Sequence, residues 1–103
     1  MTVQIDRFDP ESGKEWTDSF DVSAVDQRQM TIMDVLEYIS VHMDPTLAYY
    51  HHSVCNHGIC GRCALSVNGK TKLACLTVAN DYDELHLAPA KGRSVVRDLV
   101  VKP

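Results

Sequence analysis

Residues 55–63 read Cys55-Asn56-His57-Gly58-Ile59-Cys60-Gly61-Arg62-Cys63, and a fourth cysteine follows at Cys75. Four, two and eleven residues lie between neighbouring cysteines. Three thiols in one short loop point to a shared centre, because the thiolate is the form of cysteine that binds metal. Gly58 and Gly61 allow the loop to curl. A residue without Cβ tolerates positive φ and close approach of the main chain, so amide N–H groups can face a centre made negative by its thiolates.

The pattern C-x4-C-x2-C…C is the spacing of plant-type [2Fe-2S] sites. Two tetrahedral irons bridged by two sulfides require four thiolates, which makes Cys55, Cys60, Cys63 and Cys75 the candidate metal and cluster ligands. Structural zinc uses four thiolates as well, but its sites favour two separated pairs, and only Cys60 and Cys63 form one here. A Cys60/Cys63 dithiol leaves Cys55 and Cys75 without a role. Disulfide stapling is disfavoured, since the opening MTVQIDRFDP is charged and lacks an apolar leader; a cytoplasmic location is expected. Rieske centres place two histidines on one iron, whereas this chain supplies the all-thiolate set. His51, His52 and His57 are therefore expected to be solvated loop residues. The sharper alternative is that their protonation beside the cluster raises its potential as pH falls. Arg62 reads either as a cation facing the cluster or a partner, or as a surface side chain whose stem shields a sulfur.

A chain of 103 residues predicts a single domain over 1–103. No repeat is present, and no apolar run approaches the ~18 residues of a membrane span, so solubility without direct membrane insertion is expected. The formal charge of -4, with ten scattered Lys and Arg residues, argues against nucleic acid and for a complementary protein surface. No nucleophile with a base, dinucleotide fingerprint or phosphate loop is found. No catalytic residues are assigned.

Alternation of Val3 and Ile5, and of Trp16, Phe20 and Val22, predicts strands over 2–8 and 15–23 with Trp16 in the core, joined by a turn at Pro10, Ser12 and Gly13. Thr31 with Asp34 reads as a capping box that opens a helix over 32–42, with an apolar stripe of Ile32, Val35, Leu36, Ile39 and Met43. Asp44-Pro45 closes it. Tyr49 and Tyr50 read as core at the helix-loop junction, with docking aromatics as the alternative. Asn68-Gly69 between Leu65, Val67 and Leu73 is a hairpin signal. It leads Cys75 back toward the other cysteines. Leu85 and Leu87 predict a strand ended by Pro89, and Val95, Val96, Leu99 and Val100 a last apolar stretch docked on the body. Four or five short strands with one helix make an α+β fold, and the hairpin-helix-strand order fits a β-grasp.

The strings Arg7-Phe8-Asp9-Pro10, Asp44-Pro45-Thr46-Leu47, Gly58 to Cys63, Asn68-Gly69, Leu73-Ala74-Cys75, Pro89 and Arg97-Asp98-Leu99-Val100 together resemble the N-terminal domain of the iron-sulfur subunit of succinate dehydrogenases and fumarate reductases. The resemblance runs nearly end to end. It implies a 2Fe-2S ferredoxin-like β-grasp domain whose four cysteines hold one [2Fe-2S] cluster, docked on an FAD-containing dehydrogenase or reductase subunit that carries the flavin. It further implies one-electron transfer, as a small iron-sulfur subunit or a stand-alone ferredoxin serving that flavoprotein, with a further electron-transfer protein as acceptor or donor and peripheral membrane association through partners. That family continues into a helical domain with two more clusters, for which this chain has no cysteines, so any quinone step is expected on another polypeptide. The approach Tyr49 to Val54 is longer than in the family and carries histidines where arginines are common. A zinc-holding interaction module and an iron-sulfur cluster carrier are the alternatives in other functional classes.

Overall fold

The computed structural model describes residues 1–49, 64–90, 92 and 95–101. In chain order these form β1 (Thr2–Asp9), β2 (Lys14–Asp21), α1 (Ile32–His42), β3 (Ala64–Val67), β4 (Lys70–Leu73), β5 (Leu85–Pro89), β6 (Val95–Arg97) and β7 (Val100–Val101). Five strands make one sheet in the order β2-β1-β5-β3-β4, and β6 pairs with β7 in a small separate hairpin. β1 runs antiparallel to β2 and parallel to β5, while β3 is antiparallel to both β5 and β4. Among the described residues, a mixed sheet with one α-helix is the α+β arrangement expected from the sequence.

Period-two alternation decides which face is buried. Val3 and Ile5 of β1 lie opposite Leu85 and Leu87 of β5, and Val67 of β3 lies opposite Leu87. All five side chains are buried, in one cluster with Ile32, Met33, Val35, Leu36 and Ile39 of α1. The capping box forms as expected: the Asp34 amide donates to Thr31 Oγ1 at 3.1 Å and the Thr31 amide to Asp34 Oδ2 at 3.0 Å. Met43 departs from the expected stripe. It is the C-cap, outside helical geometry, and stands 41% exposed, while Met33, which the stripe omitted, is buried.

Two further expectations are corrected. Trp16 is 39% exposed rather than core, because β2 is an edge strand and the space beside the ring is taken by the Arg7 guanidinium, 5.4 Å from its centroid. β2 ends at Asp21, and residues Ser23–Asp26 form a 3-10 turn instead of continuing the strand. The last apolar stretch folds as β6–β7, with Leu99 buried and Val96 exposed.

The hairpin reading of Asn68-Gly69 holds, and the asparagine does more than turn the chain. At φ +49° it donates from its side-chain amide to Glu84 O and accepts from the His86 amide at 2.7 Å, fastening the β3–β4 turn to β5. Among the described residues, no helix is long and apolar enough to cross a membrane.

Candidate metal centre

Cys75 is the one expected ligand within the described residues. Cys55, Cys60 and Cys63 lie outside them, as do Tyr50, His51, His52, His57, Gly58, Gly61 and Arg62. Cys75 sits just past β4, half-buried against the hydrophobic core.

The backbone around Cys75 is held from several sides. The first amides of a helix lack intrahelical acceptors, and here the Ile32 amide donates to Thr77 O at 2.8 Å and the Met33 amide to Ala74 O at 3.0 Å. Thr77 Oγ1 and the Leu76 amide both donate to Leu73 O. Behind them, Asn80 accepts from the Met30 amide at 2.7 Å and donates to Val25 O and Arg28 O. The first turn of α1 is thus pinned against the Cys75 turn. A half-buried cysteine on a backbone fixed at both flanks, in a set of four thiols, fits the donor requirement of a [2Fe-2S] cluster.

A second cluster of functional groups lies on the helix-side face of β1. Alternation places Arg7 in line with Val3 and Ile5, and its guanidinium is buried. Nη1 donates to Asp18 Oδ2 at 3.0 Å and Asp44 Oδ2 at 2.6 Å; Nη2 donates to Thr46 Oγ1 and Asp98 Oδ2, both at 3.1 Å. Burial alone would lower the Arg7 pKa, but the Asp98, Asp18 and Asp44 carboxylates outweigh it and raise it above the ordinary value. Asp44 is held below the usual carboxylate range by the Thr46 hydroxyl and amide and by Arg7. Asp98 Oδ1 accepts from the Phe8 amide and its Oδ2 from the Ala48 amide at 3.0 Å. Nothing in the periodicity announced this hub; the available signal was a charged residue at a core-facing position of β1. Three of the strings that carry the family resemblance meet in it.

Tyr49, next to Ala48, is 6% exposed and part of the core, as one reading of it held. Burial and the Glu37 charge push its phenol pKa up. On the opposite face of the sheet, Asp6 accepts from Thr17 Oγ1 at 2.7 Å and pairs with His86 Nε2 at 2.8 Å.

Residues 2–103 match the family described as the 2Fe-2S iron-sulfur cluster binding domain. The chain belongs to this family. The fumarate reductase iron-sulfur subunit of Haemophilus influenzae is 36% identical over 103 residues, which cover 98% of this chain and 39% of that subunit. The corresponding subunit of Mycobacterium tuberculosis is 35% identical over 104 residues, covering 98% and 40%. An uncharacterized iron-sulfur protein of Methanocaldococcus jannaschii is 32% identical over 101 residues, covering 98% of this chain but 19% of that protein. This 2Fe-2S domain therefore spans about two-fifths of the fumarate reductase subunits it matches. In structure it is similar to a chain of the Mycobacterium smegmatis Sdh1 complex in the apo form, with a TM-score of 0.76 and 23% identity over 98% of this chain and 41% of the other. That likeness establishes the fold.

Proposed function

We propose that this domain transfers single electrons through one [2Fe-2S] cluster held by Cys55, Cys60, Cys63 and Cys75, in a β-grasp unit that spans residues 1–103. The observation that carries the reading is the end-to-end family match over a sequence that contains all four cysteines at the required spacing. When bound, such a cluster supplies a one-electron couple whose potential is tuned by hydrogen bonds to its sulfurs and by exposure. The chain's own part is to hold four thiolates and limit solvent around them. Cys75 is suited to this by the carbonyls of Ala74 and Thr77 fastened to α1 on either side of it.

The relatives named as fumarate reductase iron-sulfur subunits support a partner of that class: an FAD-containing subunit that performs the two-electron organic chemistry while this domain moves electrons singly. Peripheral membrane association would then come through partners. No catalytic residue is assigned to the domain itself.

Anaerobic purification of the untagged protein from its own cell tests the reading. Expected are two irons and two labile sulfides per chain, a paramagnetic resonance signal on reduction, and a flavoprotein companion. Colourless protein carrying zinc, or protein free of iron and sulfide, would rule it out.

A further inference from the structure

We propose that Arg7 and Asp98 form a clamp that positions the arm of chain running into the cysteine loop; this rests on the reading of the four cysteines as cluster ligands. The arm begins after α1 at Asp44 and passes through Thr46 and Ala48, seven positions before Cys55. It is held on both of its sides. Thr46 Oγ1 accepts from Arg7 Nη2, the Ala48 amide donates to Asp98 Oδ2, and Ala48 O accepts from the Leu99 amide at 3.2 Å. Asp98 is itself locked: its amide donates to Phe8 O at 3.0 Å, its Oδ1 accepts from the Phe8 amide, and its φ of +47° lies in the left-handed region.

Charge balance does not explain the arrangement, since one guanidinium faces three carboxylates. Nor does stability alone: a buried ion pair is often replaceable by apolar side chains without loss. What the arrangement supplies is geometry. The planar fork of arginine reaches β2, the arm and the turn between β6 and β7 at once, which a lysine ammonium cannot do. The fork thereby fixes where the arm leaves the body of the domain, and so where the segment carrying Cys55 starts. Arg7 and Asp98 are positioning residues, acting through Thr46 and Ala48.

The test compares full-length Arg7→Lys, Asp98→Asn and Thr46→Val with Leu36→Ala, a core truncation that destabilises without touching the clamp. Asn accepts the left-handed conformation, so Asp98→Asn probes charge rather than backbone strain. Two readouts are used: amide hydrogen exchange at Ala48 and Leu99 in the metal-free protein, and the rate of iron release to a chelator in the loaded protein. Exchange at both amides and iron release are expected to speed up about tenfold or more in Arg7→Lys and Asp98→Asn, and less in Thr46→Val. In Leu36→Ala, at equal loss of melting temperature, neither readout should match them. Wild-type protein without iron or sulfide overturns both the clamp and the cluster reading. Arg7→Lys and Asp98→Asn proteins that release iron no faster than the loaded wild type, or no faster than Leu36→Ala, overturn the clamp alone.

Discussion

Nη2 of Arg7 meets Oδ2 of Asp98 at 3.1 Å across ninety-one positions of sequence, and both side chains are buried. The first strand and the last turn of the described chain are joined by that pair, and Thr46 and Ala48, just after α1, are bonded to them. Breaking a buried pair from one side leaves the other charge without compensation, which typically costs about 3–5 kcal/mol.

The two sides of the pair are not equivalent. Arg7→Met leaves Asp18, Asp44 and Asp98 facing one another with no cation, and is expected to lose stability in that range, about 3–5 kcal/mol. Asp98→Asn leaves Arg7 with two carboxylates and retains one side-chain acceptor for the Phe8 or Ala48 amide; its expected loss is smaller, about 1–3 kcal/mol. Urea unfolding of both variants checks the order as well as the size.

Thr31→Ala removes one half of the capping box of α1. A loss of about 1 kcal/mol is expected from the cap itself. Because the same helix end is bonded to Ala74 and Thr77, iron release should accelerate beyond what an equally destabilising Val35→Ala produces. Thermal melts and chelator kinetics on the same samples separate the two effects.

Asn68→Ala is expected to cost about 1–2 kcal/mol, since it strips both side-chain bonds to β5 and puts a less tolerant residue at positive φ. Asn68→Gly keeps the turn and loses only the bonds. Denaturation curves for the pair report how much of the cost is backbone.

Acid should unfold the protein through its aspartates. At Asp6, burial pushes the carboxyl pKa up, but the hydrogen bonds from His86 and Thr17 and the His86 charge outweigh it and leave the pKa lowered. Asp44 is lowered too. A folded-state pKa below the unfolded one means the native state binds the proton more weakly. The stabilisation is therefore complete above the ordinary aspartate value of about 3.9 and is lost as pH falls through the lower folded values. Asp6→Asn should flatten the fall in stability measured by urea unfolding between about pH 6 and pH 2.

Removing the metal should leave the sheet standing. The hydrophobic core draws on β1, β3, β5 and α1, and Cys75 is half-buried against it. Far-ultraviolet circular dichroism of chelated protein, and of Cys75→Ser, is expected to keep the native strand and helix signal while visible absorption disappears.

Much of the fold was legible because it is written in short-range chemistry. The 3.6-residue stripe and capping box gave Ile32–His42, Asn68-Gly69 gave the β3–β4 hairpin, and alternation gave the core face of β1. The error at Trp16 has a tertiary cause. Periodicity says that Trp16 shares a face with Phe20, but only the sheet order makes β2 an edge and leaves the ring beside Arg7 rather than under the helix.

The spacing of Cys55, Cys60, Cys63 and Cys75 by itself determined the chemistry proposed for this protein, because a ligand set is a property of residue types at fixed separations along one stretch of chain. What tertiary structure alone decided is how distant segments hold that stretch. The end of α1 against the Cys75 turn, and Arg7 bound at once to Asp18, Asp44, Thr46 and Asp98, are contacts between segments that lie from eleven to ninety-one positions apart. Their energies depend on burial and on a folded geometry that no local pattern encodes.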